Sequence, residues 1–160
     1  MSLRYHTPLT AEEQLAQGLT VPQRFALADK VRYAELDILN HVNNKSYMTW
    51  FETLRVSYFD HCCADLFAQG PRPRTVLRSA DIRFVKEMLA NESYVATAQV
   101  TEFRTTSYTM EQQLWSGDLR ARMTAVMVMM TPEGTARMPL PGTLVERFRT
   151  LDGAVPHTGS

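Results

Sequence analysis

The stretch Tyr33-Ala-Glu-Leu-Asp37-Ile-Leu-Asn-His41-Val-Asn-Asn44-Lys-Ser-Tyr47-Met-Thr-Trp-Phe-Glu52 decides how the chain is read. A strand pattern stops where it begins. Phe25, Leu27, Val31 and Tyr33 share one face of that strand, with Asp29 the exception. A short polar loop follows and holds Asp37. The Asn43–Asn44 pair then stands where a helix is expected to start, since asparagine is a favoured cap. From Asn44 to about Phe67 the apolar positions Tyr47, Trp50, Phe51, Leu54, Tyr58 and Cys62 recur at three- and four-residue steps. Met48, Val56 and Phe59 widen that stripe, so the helix is expected to be wrapped rather than laid on a surface.

Downstream of Gly70, Pro71 and Pro73 the chain alternates strand and turn. Val76, Ala80, Ile82 and Phe84 make one face of a second strand ending near Val85. Tyr94, Ala96, Ala98 and Val100 make one face of a third, ending near Phe103, with small residues that let the helix approach. A turn over residues 104–106 leads to a fourth strand with Tyr108, Met110 and Leu114 on one face. Ser116-Gly117-Asp118 is a hairpin turn into a fifth strand, 119–131, with Arg120 and Arg122 outward. From Ala125 to Met130 that strand is apolar on both faces, which suggests burial on both sides by a second subunit. One long apolar helix and a run of short antiparallel strands predict an α+β fold: a curved five-stranded sheet wrapped around the helix. Open strand edges predict a dimer or tetramer.

The division expected is an arm over residues 1–24, the main domain over 25–131 and a tail over 132–160. In the arm, Thr10 and Glu13 have capping-box spacing ahead of a short helix ending near Gly18. In the tail, residues 144–148 read as a short helix, and the last residues read as disordered. The 160 residues suit one domain, and 44% apolar with 21% charged content is ordinary for a globular protein. A formal net charge of zero argues against nucleic acid or an anionic membrane surface as the main partner. Cys62 and Cys63 are adjacent, a spacing suited to reduced buried thiols and a cytoplasmic location. The start of the chain has no basic-then-apolar signal pattern, and no apolar run approaches the ~20 residues of a membrane span.

No nucleophile elbow, glycine-rich nucleotide loop or zinc-ligand spacing occurs, so no metal and no cofactor are expected. The loop before the long helix remains. A helix start offers free N–H groups and roughly half a proton charge, which suit a developing oxyanion. Asp37, on the approach to that start, is placed to attack a reactive carbonyl or to draw a proton from water. An activated ester such as a thioester suits this pairing, because its leaving group needs little help. The bland reading of Asp37 is an acid that favours the helix dipole, and that of Asn43 and Asn44 is structural capping. His41 reads first as a loop-shaping hydrogen-bonder whose side chain can order Asp37 or water. Glu52 reads first as a buried, paired structural acid and second as an alternative catalytic acid. Tyr33 and Tyr47 flank the loop as core residues or as contacts to an acyl group.

The pattern Tyr-Ala-Glu-x-Asp-x-x-x-His-Val-Asn-Asn, followed by x-x-Tyr-x-x-x-Phe-Glu, resembles the 4-hydroxybenzoyl-CoA thioesterase-like family of hot-dog-fold acyl-CoA thioesterases, from about Phe25 to Met130. The resemblance implies an enzyme that hydrolyses acyl-CoA, with CoA present only as part of the substrate. It implies that Asp37 is the nucleophile or general base and that the backbone amide of Asn44 polarises the thioester carbonyl. Tyr33, His41 and Tyr47 become substrate contacts. Family members bind CoA phosphates with basic residues near the third-to-fourth strand turn, where Arg104 stands here, followed by Thr105, Thr106 and Ser107. They assemble as dimers or tetramers with sites at subunit interfaces. The alternatives are a non-catalytic acyl-thioester or small-ligand binding module on the same fold, and a hydratase or dehydratase using His41 and Glu52.

Overall fold

Asn43 caps the long helix, its side-chain oxygen accepting from the Lys45 amide at 3.0 Å. In the computed structural model, which describes residues 2–159, that helix is α2, Asn44–Cys62. Tyr47, Trp50, Phe51, Leu54, Tyr58 and Phe59 are buried along it, each such side chain contributing roughly 1.5–3 kcal/mol. The helix ends sooner than the pattern predicted: Cys63 breaks it and a 3-10 turn, Ala64–Phe67, follows. Cys63 rather than Cys62 is fully buried, and Val56 is exposed, so the stripe is narrower than its apolar content suggests.

The sheet contains β1 (Phe25–Lys30), β2 (Arg74–Phe84), β3 (Ser93–Phe103), β4 (Ser107–Trp115) and β5 (Leu119–Met130), in the order β1-β3-β4-β5-β2, all antiparallel. A two-residue strand, β6 (Val155–Pro156), adds a sixth member in parallel with β3. It binds the tail that composition suggested was disordered: the His157 amide also donates to the Phe103 carbonyl at 2.9 Å. Tyr94, Ala96, Ala98 and Val100 of β3 face α2 in one core with Met110, Leu114 and Met123. This is the wrapped-helix arrangement of the hot-dog resemblance, with six strands where five were expected.

Three register shifts interrupt the sheet: one lies between Leu114 and Trp115 of β4 and leaves Arg120 of β5 over, and the other two are bulges in β2 and β3. Arg78 is the extra residue between Leu77 and Ser79 in the β2–β5 pairing, and Thr101 is the extra residue between Val100 and Glu102 in the β3–β4 pairing. The bulge at Thr101 turns Phe103 inward instead of Glu102. Arg120 also departs from its expected outward place. It is buried, because the 87–92 loop folds over it: it donates to Asp118, Glu92 and the Glu87 carbonyl.

The arm carries α1, Ala11–Ala16, with the expected capping box between Thr10 and Glu13. Its amides at His6 and Leu9 donate to Ala28 and Ala26, which covers the free edge of β1. Leu9 and Leu19 pack with Ala26, Ala28 and Val95 on the sheet face away from α2. Gly18 has φ +98°, and a Cβ there would lie 2.2 Å from the Gly117 carbonyl oxygen, so only glycine lets the arm meet the β4–β5 turn. At the other end of the chain α3, Gly142–Asp152, buries Leu144 and Phe148 in the main core. Among the described residues β2 is therefore the uncovered edge, and Val76, Leu77, Phe84 and Val85 stand exposed on or beside it.

Candidate functional site

The loop ahead of α2 is held as a small hairpin. Leu36 bridges Val42, the Asp37 amide donates to the His41 carbonyl at 2.8 Å, and Asn40 turns the tip with φ +60°. Asp37 Oδ1 accepts from the amides of Leu39 at 2.8 Å and His41 at 3.3 Å. Oδ2 has no protein partner among the described residues. His41 thus shapes the loop, as its first reading has it, and does so through its backbone rather than its imidazole. The loop leans on the 88–89 segment, through the Val42 amide to the Met88 carbonyl and a bridge between His41 and Leu89.

Glu35 ties this hairpin to the helix. Its carbonyl accepts from the Asn43 amide at 2.8 Å and the Ser46 hydroxyl at 3.2 Å. Its carboxylate accepts from the Arg32 amide at 2.7 Å and the Trp50 indole at 2.5 Å. The first helical residue, Asn44, is exposed, and its N–H has no protein acceptor among the described residues. Glu35 stood in the quoted motif without a role. The only sequence signal for one was its place beside Asp37, because its indole partner lies fifteen residues on.

Tyr33 is not the end of the first strand. β1 stops at Lys30, and Tyr33 begins a 3-10 turn, Tyr33–Glu35, with its side chain 89% exposed. Pairing of β1 with β3 ends at Lys30 and Ser93, so the chain is free to turn before Tyr33. Ile38, Leu39 and Leu89 are likewise exposed, so the loop that carries Asp37 and the segment beside it present apolar side chains at the surface. Tyr47 is buried, with its ring 5.4 Å from Trp50 and 5.1 Å from Phe84. Arg104 lies at the β3–β4 turn, exposed, its amide bonded to Ser107. That is the far end of β3 from Tyr94, which stacks on Trp50, and roughly 33 Å of strand lies between Ser93 and Phe103. The chain alone does not bring Arg104 to the Asp37 loop. Glu52 is exposed on α2 and has no salt bridge within 4 Å among the described residues.

Other reactive groups are held inert. Burial pushes the Cys62 thiol up to about 11 and the Cys63 thiol up to about 12, so neither is a thiolate near neutrality. Among the described residues no group of three His, Cys, Asp or Glu side chains is placed to hold a metal ion, and no helix is long and apolar enough to cross a membrane. The loop thus offers one carboxylate oxygen without a protein partner and one helix-start N–H without an acceptor. A free carboxylate oxygen can act chemically as a base or nucleophile, and a free helix-start N–H can meet a developing oxyanion.

Residues 31–148 match the model of the thioesterase-like superfamily. The chain superposes on a thioesterase superfamily protein from Jannaschia sp. CCS1 with a TM-score of 0.85 and 38% identity, over 96% of this chain and 99% of that one. A thioesterase from Thermus thermophilus, solved with coenzyme A and Zn, gives a TM-score of 0.70 and 26% identity, over 82% of this chain and 96% of that one. Among curated proteins, the uncharacterized protein YsmA of Bacillus subtilis (strain 168) is 29% identical over 73 residues. That match spans 44% of this chain and about half, 48%, of YsmA. With a hot-dog sheet around α2 and a family match covering most of its length, the chain belongs to the thioesterase-like superfamily.

Proposed function

We propose that the chain hydrolyses acyl-CoA thioesters to a free carboxylic acid and CoA, as a member of the 4-hydroxybenzoyl-CoA thioesterase-like branch of its superfamily. The observation that carries this reading is a free Asp37 oxygen on a hairpin that Glu35 clamps to α2, the helix whose first residue, Asn44, has an unpartnered N–H. Acting as a base, Asp37 takes a proton from water while the water oxygen bonds to the thioester carbonyl carbon. The carbonyl oxygen gains charge and is met by the Asn44 N–H. The carbon–sulfur bond then breaks, its electron pair leaves on sulfur, and the proton held by Asp37 goes to the thiolate. Acting as a nucleophile, an Asp37 oxygen bonds to the carbonyl carbon as the carbon–sulfur bond breaks and CoA leaves as thiolate. Water then opens the mixed anhydride, restoring the Asp37 carboxylate and releasing the acid, and its spare proton goes to the thiolate.

Tyr33 and His41 border the approach of the substrate, and Tyr47 forms the wall behind the helix start. The exposed β2 edge and the apolar residues around Asp37 support a homodimer or homotetramer in which a second copy closes the site. In such an assembly Arg104 serves CoA phosphates from another copy. The coenzyme A held by the Thermus thermophilus relative supports CoA as the thiol.

Incubating the purified protein with short-chain, long-chain and aromatic acyl-CoAs in the presence of a thiol reagent tests the reading. Release of free thiol from at least one class is the expected result. Acyl-CoA binding without thiol release from any of them overturns it in favour of a non-catalytic binding module.

A further inference from the structure

Arg55 is a buried cation without a counter-ion. Its side chain, on the inward face of α2, is 7% exposed. Nη1 donates to Gln112 Oε1 at 3.0 Å, and the Gln112 amide nitrogen is itself committed to the Phe51 carbonyl at 2.9 Å. Nε is fully buried and has no hydrogen-bond partner. Among the described residues no carboxylate lies within the 4 Å of a salt bridge, although Glu52 is one turn away on the same helix. Buried charges in folded proteins are as a rule paired, because taking a charge out of water is costly. Burial accordingly disfavours the charged form of Arg55.

This side chain lines a cleft of about 470 Å³ between the C-terminal half of α2 and the start of β2, within the usual size range of small-molecule sites. Val56, Phe59, Leu77, Met127 and Met129 supply apolar walls, and the exposed Glu52 also lines the cleft, as the one carboxylate there among the described residues. Arg72 stands over the Phe59 and Phe67 rings, 5.8 and 5.9 Å from their centroids, but is already paired with Asp60 at 3.2 Å. With Nη1 spent on Gln112 and Nε sealed away from the cleft, Nη2 is the nitrogen of Arg55 left for a ligand, and a charge-assisted hydrogen bond from it to a carboxylate oxygen would also supply the missing counter-charge.

We propose that this cleft binds a carboxylate with an apolar body, Arg55 gripping the carboxylate and the α2–β2 walls holding the body. The assignment stands whether or not the chain hydrolyses thioesters. Two sources supply such a ligand: the acid half of a hydrolysed thioester, or a free acid that acts from outside the reaction.

Calorimetric titration of the intact protein with octanoate, octan-1-ol and octylamine tests it. Octanoate is expected to bind at least about tenfold more tightly than octan-1-ol, and octylamine not measurably. In Arg55→Met, which keeps the length and apolar bulk of the side chain, that preference is expected to disappear. Equal affinity for octanoate and octan-1-ol in the unaltered protein overturns the proposal, and needs no variant to fold. So does full octanoate affinity in Arg55→Met. Competition of octanoate with octanoyl-CoA assigns the ligand to the reaction, and binding that leaves KM unchanged assigns it to a separate acid.

Discussion

Glu35 spends both carboxylate oxygens and its carbonyl on the geometry between the Asp37 hairpin and α2. Glu35→Ala removes the acceptor of the buried Trp50 indole, and a buried donor left unpaired costs roughly 1–3 kcal/mol. Urea unfolding is expected to show a loss of that order, together with slower turnover, because Asn43 and Ser46 then hold the loop by backbone contacts alone. An unchanged midpoint and rate would mean that the hairpin is set elsewhere. At this scale the sequence is informative where partners are local. Asp37, His41 and the Asn43 cap lie within a few residues of one another, so spacing alone groups them. Glu35 and Arg55 are not legible, since their partners Trp50 and Gln112 meet them only after the helix docks on the sheet. His41 lies beside Asp37 as its spacing implies but makes a different contact, because spacing does not distinguish an imidazole from the amide beside it.

Besides the burial of Leu144 and Phe148, one acid ties the end of the C-terminal helix to α2 and β3. Asp152 Oδ2 accepts from the Tyr58 hydroxyl at 2.5 Å and from the Val100 amide at 2.8 Å, while Oδ1 is buried without a partner. Burial raises the Asp152 carboxyl above its ordinary range, and the two hydrogen bonds only partly oppose that. A group raised on folding contributes stability that is fully present below its unfolded pKa, about 3.9, and lost as pH rises through the folded value. The stability of the wild type relative to Asp152→Asn, which does not titrate, is therefore expected to fall as pH is raised from about 4 to about 7. Urea midpoints of both proteins across that range check it, and a difference that stays flat would contradict it. Elements are legible where one face alone is buried: β4 and α2 follow their apolar period. The tail is not, because β6 depends on a long-range pairing with Glu102 and Phe103. Nor are the bulges at Arg78 and Thr101, which add a residue without altering local composition.

Taken whole, the sheet has one edge sealed and one open. The arm covers β1, and β2 presents unpaired backbone and exposed apolar side chains along its length. Association through β2 would also bring a second copy toward the apolar side chains of the Asp37 loop. Ala80→Asp places a charge in the middle of that edge, facing its own copy across a two-fold pairing. Light scattering is expected to show a dimer or larger for the wild type and a shift toward monomer for the variant, with at least about tenfold lower activity. A fully active wild-type monomer would contradict the shared site. The central claim, that the Asp37 carboxylate acts against a carbonyl held at the start of α2, is tested most directly by thiol release from acyl-CoA in Asp37→Asn. The assay belongs at a concentration where wild type and variant have the same oligomeric state and circular dichroism. The account predicts retained acyl-CoA binding with turnover reduced roughly 10²- to 10⁴-fold; turnover equal to the wild type would contradict it.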